Sequence, residues 1–242
     1  MKIVFSRKGF DSSAGGGSSP IIDGAPISLP IPDNIGASRT SYDALGLGDL
    51  ASTASRGKIV ADDLCHHDPM FLSDGTCAFG QHSAAQTHLE GQDVGTGDVF
   101  LFFGLFDEVQ TKQPHHRIFG YLRVEEVIPL SKGAPADLVS IAHPHALKMH
   151  SANDVIWRGE GRVASHASEM LRLTIPEGPP SLWKRPDWLK RGGLSYHDRA
   201  ERWIRGGRLR SVARGQEFVA DIGRRSAPRA WLNAIIEEIN RS

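Results

Sequence analysis

The chain has 242 residues, its 28 Lys and Arg are balanced by 28 Asp and Glu, and 40% of its residues are hydrophobic. A chain of this length can form one large domain or a core with an appended lobe, and it is long enough to bury a sizeable core. No apolar run reaches the roughly 18–20 residues of a membrane-spanning helix. No N-terminal run resembles a signal peptide and only two cysteines occur, so we expect free thiols and a location in the reducing cytoplasm.

The charges are distributed unevenly along the chain. Residues 182–242 contain 14 Lys and Arg against 7 Asp and Glu, whereas the first 181 residues contain the other 14 basic residues and 21 acidic ones. The two parts therefore carry formal charges of about +7 and −7. A basic segment of this kind binds phosphates or neutralises the acidic remainder of its own molecule, and the sequence leaves both interpretations open.

The first 91 residues contain few strong secondary-structure signals. "MKIVFS" predicts a first β-strand, which leads into the polar loop "SRKGFDSSAGGGSSP". "ISLPIPD" is broken by prolines and is expected to be an extended edge segment. "SYDALGLGDL" predicts a short helix, and "SAAQTHLEG" predicts the end of another.

The clearest β pattern lies in the middle of the chain. "GDVFLFFGLFDEV" and "HRIFGYLRVEEVIPL" predict an antiparallel pair of strands, and "NDVIWRGEG" and "MLRLTIPEG" predict further strands. "YHDRAERWIRGG" and "PRAWLNAIIEEINR" predict helices near the C-terminus. Because the regular βαβ alternation of a doubly wound sheet is missing, we predict an α+β fold. Its β-rich, barrel-like core spans about 1–180, with peripheral helices and a basic C-terminal helical part over about 181–242, in a single domain.

The N-terminal loop is the first candidate site. Small residues allow backbone N–H groups to converge on an anion, and two basic side chains stand beside them. The predicted ligand-binding residues of this loop are Ser6, Arg7, Lys8, Ser12 and Gly15. Asp11 is a candidate to bind a ribose or to act as a catalytic base. The alternative is a flexible loop whose glycines serve its turns.

The second candidate site is the stretch "LCHHDPMFLSDGTCAFGQHSAAQTHL", residues 64–89. Its thiols, imidazoles and acids would suffice for a zinc site, but their spacing matches no strong zinc pattern, so we predict no metal ligands. We predict acid–base roles for His66, His67 and Asp68, and ligand contacts for Gln81 and His88. The alternative is that these histidines satisfy backbone groups around a buried turn.

Two further motifs carry candidate ligand-binding residues. In "HPHALKMH", His143 and His145 flank a proline and could present two rings to one ligand or belong to a surface loop. In "RGQEFVAD", Arg214 suits a phosphate, while Gln216 and Glu217 suit a base edge. A solvated salt bridge between neighbours is the alternative for this second motif.

Nine motifs follow one another along nearly the whole chain: "SRKGFDSSAGGGSSPI", "SLPIPD", "HHDP", "FGQHSAAQTHL", "GDVFLFFGLF", "IFGYLRV", "HPH", "LSYHDRAERW" and "RGQEFV". The series resembles the nucleotide modification associated domain 3 family, bacterial and phage proteins placed by genomic context near systems that handle modified bases. Leu105 departs from the family's pattern, in which a large aromatic residue follows "FFG". The central strand pair is also similar to PUA, ASCH and EVE barrels, which bind nucleotides or modified bases.

These observations predict a protein that binds a nucleotide or modified base between the N-terminal loop and the histidine cluster. If it is an enzyme, Asp11, His66, His67 and Asp68 are the catalytic candidates. The expected partner is a nucleotide or nucleic acid and not a membrane, and the sequence identifies no cofactor. Two alternatives remain open: a non-catalytic reader of modified DNA or RNA bases, and a metal-dependent hydrolase or nuclease built on residues 64–89.

Overall fold

The computed structural model of the protein describes residues 1–108, 111, 113–213 and 217–241. Strands account for 32% of the chain and helices for 23%, and the helices lie at the periphery of a curled half-barrel sheet. The predicted α+β class is therefore confirmed. No helix among the described residues has the length and apolar character needed to cross a membrane.

The described residues form twelve strands and five α-helices. The strands are β1 (Lys2–Arg7), β2 (Ser19–Ile22), β3 (Ala25–Pro26), β4 (Met70–Phe71), β5 (Thr76–Gln81), β6 (Val99–Glu108), β7 (His115–Pro129), β8 (Val155–Val163), β9 (Leu182–Lys184), β10 (Trp203–Ile204), β11 (Arg208–Arg210) and β12 (Glu217–Asp221). The α-helices are α1 (Gly48–Ser55), α2 (Ser83–Gly91), α3 (Ala136–Ser140), α4 (Pro144–Leu147) and α5 (Ser226–Asn240).

Nine strands form the main sheet in the order β12-β1-β6-β7-β8-β5-β4, with β2 paired to β6 and β3. β1 runs parallel to β6 and antiparallel to β12, and the predicted pair β6–β7 is antiparallel. The register shifts once in the β6–β7 pair, at Phe102/Phe103, and once in the β7–β8 pair, at Val124/Glu126. Because a bulge bends its strand and increases the local twist, these irregularities favour a curled sheet.

Both faces of the central strands are buried, which explains why β6 reads as a continuous apolar run. Alternate side chains point to opposite faces of a strand. On one face, Phe5, Leu101 and Phe103 pack in a cluster with apolar residues of α5. On the other face, Phe100 and Phe102 pack in a second cluster with aromatic side chains of β5 and β8.

Two segment-level predictions were wrong. "YHDRAERWIRGG" is not a helix: a 3-10 turn at Ala200–Arg202 leads into the β10–β11 hairpin, which forms a separate three-stranded sheet with β9. Gly206 and Gly207 both have positive φ, 75° and 69°, and this turn geometry ends any helical pattern. "MLRLTIPEG" begins with a 3-10 turn at Glu169–Leu171 and contributes only isolated β-bridges.

Candidate functional site

The curl of the sheet brings the end of β5 against the end of β1 and the start of β12. Glu217, the first residue of β12, is 1% exposed. Its Oε1 accepts hydrogen bonds from Ser6 Oγ at 3.1 Å, Lys8 Nζ at 3.1 Å and Gln81 Nε2 at 2.7 Å. A buried carboxylate is stable only when it is paired and hydrogen-bonded. Glu217 therefore joins three of the motifs that the sequence analysis selected.

A cavity of about 300 Å³ opens beside this network. Its walls come from the N-terminal loop, the segment before β4, the end of β5 and helix α4. The lining residues that matter for the chemistry include Arg7, Lys8, Asp11, His66, Gln81 and His145. One cavity therefore receives side chains from both predicted candidate sites and from the "HPHALKMH" segment.

The N-terminal loop carries two cations to the cavity. Arg7 donates to the backbone carbonyls of Ala213 at 2.9 Å and Val212 at 2.8 Å. Burial lowers the pKa of Arg7, and the nearby Asp11 partly opposes this effect. Lys8 Nζ lies 4.1 Å from the centroid of the Phe79 ring while it pairs with the buried Glu217 carboxylate. A lysine ammonium has three donors, so Lys8 retains hydrogen-bonding capacity for a ligand.

Asp11 also stabilises the fold of its own loop. Its Oδ1 accepts hydrogen bonds from Ser13 N at 2.7 Å, Ser13 Oγ at 2.7 Å and Ala14 N at 2.9 Å, which makes an Asx-type turn. Ser12 is exposed in this turn. Gly15 has φ of 84° and lies so close to Phe10 that a Cβ would stand 2.4 Å from the ring. Gly15 therefore has a packing role, and Asp11 both shapes the loop and lines the cavity.

Four histidine rings meet beside the cavity, and three of them line it. His66 precedes β4, His82 precedes α2, and two more come from α4 and the segment after it. The centroid of His66 lies 5.1 Å from that of His145 and 5.3 Å from that of His150. His145 and His150 stack in parallel with centroids 3.9 Å apart. Burial lowers the pKa of His66 to about 4, so its imidazole is neutral near pH 7.

A buried aspartate, Asp154, orients two of these rings. Asp154 Oδ1 lies 2.6 Å from His145 Nδ1, and its Oδ2 accepts the backbone N–H of His150 at 2.7 Å. Burial alone would raise the pKa of Asp154, but its contacts with the two histidines outweigh that effect and hold the pKa well below its usual range. Asp154 is therefore a fixed anion that orients the two stacked rings.

A second buried aspartate, Asp68, lies beside His66 and His143. Its Oδ1 accepts the backbone N–H of Gly80 at 2.9 Å. His143 Nε2 lies 3.3 Å from Oδ1, off the line that a hydrogen bond requires, and His66 Nε2 lies 3.8 Å from Oδ2. Burial would raise the pKa of Asp68, but the surrounding imidazoles hold it well below its usual range. Asp68 is thus ionised, and its hydrogen bond from the Gly80 backbone holds it beside His66 and His143.

Several predicted residues lie outside this cavity. His67 lines a different cavity together with Pro26 and Phe71, and burial lowers the pKa of its imidazole. His88 Nε2 lies 3.0 Å from Ser195 Oγ, and its ring packs on Tyr196 with centroids 4.4 Å apart. His88 lines a neighbouring cavity whose walls include Gln81, His82 and Glu217.

His143 is fully buried beside Asp68. Arg214 and Gln216 lie outside the described residues.

The sequence analysis did not select three residues that the structure brings to the histidine group: His82, His150 and Asp154. The sequence does contain a signal for this part of the site: several histidines lie close to Pro144, and Asp154 follows them directly before strand β8. The two thiols considered as ligands, Cys65 and Cys77, are free, buried side chains. Burial raises the pKa of Cys65 to about 12, which keeps it a neutral thiol.

The chain belongs to the nucleotide modification associated domain 3 family, whose model matches residues 2–221. The matched range contains the N-terminal loop, the histidine group and Glu217, and it confirms the resemblance noted from the sequence motifs. Searches of curated proteins and of solved structures returned no match.

Proposed function

We propose that the cavity beside Glu217 binds a nucleotide, free or within a nucleic acid, and that this binding serves nucleotide or base modification. Membership of the family supports a nucleotide-modification-associated role in general. The observation that carries the proposal is the composition of the cavity wall, which contains two cations, residues of the Gly/Ser-rich loop and a group of imidazole rings.

The cationic wall suits a phosphate. Arg7 ends β1, Lys8 follows it, and both side chains line the cavity. The backbone of the following loop turns around the Asp11 carboxylate. Guanidinium and ammonium groups are the usual partners of phosphate oxygens, and both are more effective where water is partly excluded. We therefore assign the phosphate of the nucleotide to this wall and its ribose to the vicinity of Asp11.

The part of the cavity wall formed by Gln81 and His82 suits a nucleobase. His82 is partly exposed and lies at the junction of the two neighbouring cavities, so its ring can stack on an aromatic base. Gln81 is fixed by its bond to Glu217 and by its Oε1, which accepts the backbone N–H of His82 at 3.0 Å. An amide held this rigidly offers a defined hydrogen-bonding edge. If the protein is an enzyme, Asp11 is the general base, because its carboxylate lines the cavity beside the space assigned to the ribose.

The sequence of the β6–β7 pair is similar to the strand pattern of PUA, ASCH and EVE barrels. We include this relationship in the proposal because those barrels hold nucleotides or modified bases. Fold likeness alone does not assign a ligand, so the proposal rests on the cavity residues.

A second candidate function, a reader of modified bases in DNA or RNA, is favoured by the β10–β11 hairpin. Arg205, Arg208 and Arg210 are exposed there and form no ion pair with any acidic residue that the structure describes. Such a surface can contact the backbone of a long nucleic acid. A reader would bind oligonucleotides far more tightly than mononucleotides, with a steep dependence on salt.

Calorimetric titration with nucleosides, deoxynucleoside 5′-monophosphates and short DNA and RNA oligonucleotides tests the proposal. We expect monophosphates to bind at least 10-fold more tightly than nucleosides, since Arg7 and Lys8 contact the phosphate. His82→Ala should weaken binding by a similar factor because the stacking ring is lost. His166→Ala, at an exposed histidine that does not line the cavity, is the matched control and should bind as the wild type does.

The outcomes separate the candidate functions. Binding of oligonucleotides alone, with a steep salt dependence and no effect of His82→Ala, would favour the reader and place its contacts on the basic hairpin. No binding of any of these ligands to the wild-type protein would overturn both functions.

A further inference from the structure

We propose that His66, His145 and His150 form a binding site for a divalent transition metal beside the cavity. Each histidine offers one ring nitrogen, and these three atoms lie within 4.8 Å of one another. The ligands come from two segments that are almost 80 positions apart, so the site exists only in the folded chain. This inference needs no bound nucleotide and can hold or fail independently of the proposed function.

The hydrogen bonds of two rings already have the pattern of metal ligands. His145 Nδ1 lies 2.6 Å from Asp154 Oδ1, and His150 Nδ1 lies 2.8 Å from the carbonyl oxygen of Lys148 and 3.4 Å from Asp154 Oδ2. In each ring the Nδ1–H is thereby committed to an oxygen, which leaves Nε2 with its lone pair. Metal-bound histidines characteristically donate their other ring nitrogen to a carboxylate or carbonyl oxygen, which fixes tautomer and orientation.

One ring nitrogen lacks any other partner. His150 Nε2 is buried and has no hydrogen-bond partner within the part of the chain that the structure describes. A buried polar atom without a partner is rare in native proteins because its desolvation is not offset. A metal ion bound between His150 and the other two rings would satisfy this atom.

The geometry fits an imidazole-preferring ion after a small adjustment. Metal–nitrogen bonds of about 2.0–2.1 Å require the three nitrogens to close in by roughly 1 Å. Imidazole ligands favour Zn²⁺, Fe²⁺, Cu²⁺ or Ni²⁺ over Mg²⁺ and Ca²⁺. Three protein ligands leave a coordination position for water or substrate, which is the arrangement of catalytic zinc sites. His66 and His145 line the cavity, so that position faces the space assigned to the nucleotide.

The absence of a metal motif in residues 64–89 has a simple reason in this arrangement. That stretch supplies only His66, while the other two ligands and the orienting Asp154 come from residues 145–154. The cysteines do not take part. The resulting site thus differs in its ligands from the metal-dependent alternative considered from the sequence.

The test is metal binding by the full-length protein without nucleotide. Metal content is measured after purification, and the protein stripped with a chelator is titrated with Co²⁺, whose visible absorption spectrum reports nitrogen coordination. We expect one equivalent of Co²⁺ to bind and Zn²⁺ to displace it. His66→Ala and His150→Ala should each weaken binding at least 10-fold, and His166→Ala should bind as the wild type does.

Two measurements keep the inference falsifiable if a variant folds poorly. Circular dichroism and thermal melting of each stripped variant establish its fold, and His66→Gln and His150→Gln serve as variants of more similar volume. No saturable Co²⁺ spectrum with the folded wild type would overturn the inference. Equal weakening by His166→Ala, or full binding by folded His66→Ala and His150→Ala, would also overturn it.

Discussion

Gly80 lies directly against the ring of His145: a Cβ on this residue would stand 2.1 Å from Cδ2 of the imidazole. The same glycine donates its backbone N–H to Asp68 Oδ1 at 2.9 Å. One residue of β5 thus fixes the position of the stacked histidines and of the aspartate beside them. A side chain at this position would disturb both.

Gly80→Ala should therefore displace His145 and separate it from Asp154. Because a methyl group has no room in this packing, we expect a loss of about 1–3 kcal/mol in the free energy of unfolding, together with weaker Co²⁺ binding. Urea denaturation and the Co²⁺ titration measure the two effects. Gly91→Ala, where the added Cβ meets no atom within 4 Å, is the matched control. Equal stability and metal affinity in Gly80→Ala and the wild type would contradict the packing argument.

Asp154→Asn tests the orienting role of the buried carboxylate. The substitution keeps the shape of the side chain but removes the negative charge of the carboxylate whose oxygen accepts the His145 Nδ1–H. Loss of such an outer partner typically reduces metal affinity by about 10–100-fold, and the Co²⁺ titration measures this change. Asp137→Asn, which removes an exposed partner of Arg158, should leave the metal affinity unchanged. Unaltered Co²⁺ affinity in folded Asp154→Asn would show that Asp154 does not orient the ligand.

Glu217→Gln tests the buried charge network at the other end of the cavity. The amide can still bond Ser6 and Gln81, but Lys8, whose side chain is 11% exposed, loses its counter-charge. Breaking a buried pair by removing one partner costs about 3–5 kcal/mol, which urea denaturation would detect. The double variant Lys8→Met/Glu217→Gln should recover part of this loss because no unpaired charge remains. A double variant as unstable as the sum of the two single variants would contradict the coupling.

The sequence revealed the strands more reliably than the site. The β6–β7 pair was predictable because long apolar runs with aromatic residues need both faces of a sheet buried. The prediction of a helix near residue 200 was wrong, because a turn at Gly206 and Gly207 interrupts the helical periodicity there. Local patterns selected Arg7, Lys8 and His66, which line the cavity.

The assembly of the site could not be predicted from local patterns. The bond between Gln81 and Glu217 joins residues 136 positions apart, and it depends on the curl of the sheet. The roles of His150 and Asp154 became visible only in the fold, where the segment after helix α4 brings His150 to His66 and Asp154 to His145 and His150. Hydrophobic periodicity predicts one helix or strand at a time, so it does not predict contacts between residues that are far apart in the sequence.

His116 predicts how stability depends on pH. Its Nδ1 accepts the Trp183 Nε1–H at 3.0 Å, and burial lowers the pKa of its imidazole to about 3. In the unfolded chain that pKa is about 6.5. Between these values the unfolded state binds a proton that the folded state does not, so the free energy of unfolding decreases as pH falls below about 6.5.

Other buried histidines contribute in the same direction, so the wild type must be compared with His116→Gln. We expect the unfolding free energy of the variant to fall less steeply between pH 6 and pH 5, by up to about 1.4 kcal/mol per pH unit, which corresponds to one proton. Urea denaturation at a series of pH values measures this slope. His166→Gln, at an exposed histidine, should keep the wild-type slope. Parallel curves for wild type and His116→Gln would mean that His116 is protonated as readily in the folded protein as in the unfolded chain, and its burial against Trp183 would then have no electrostatic cost.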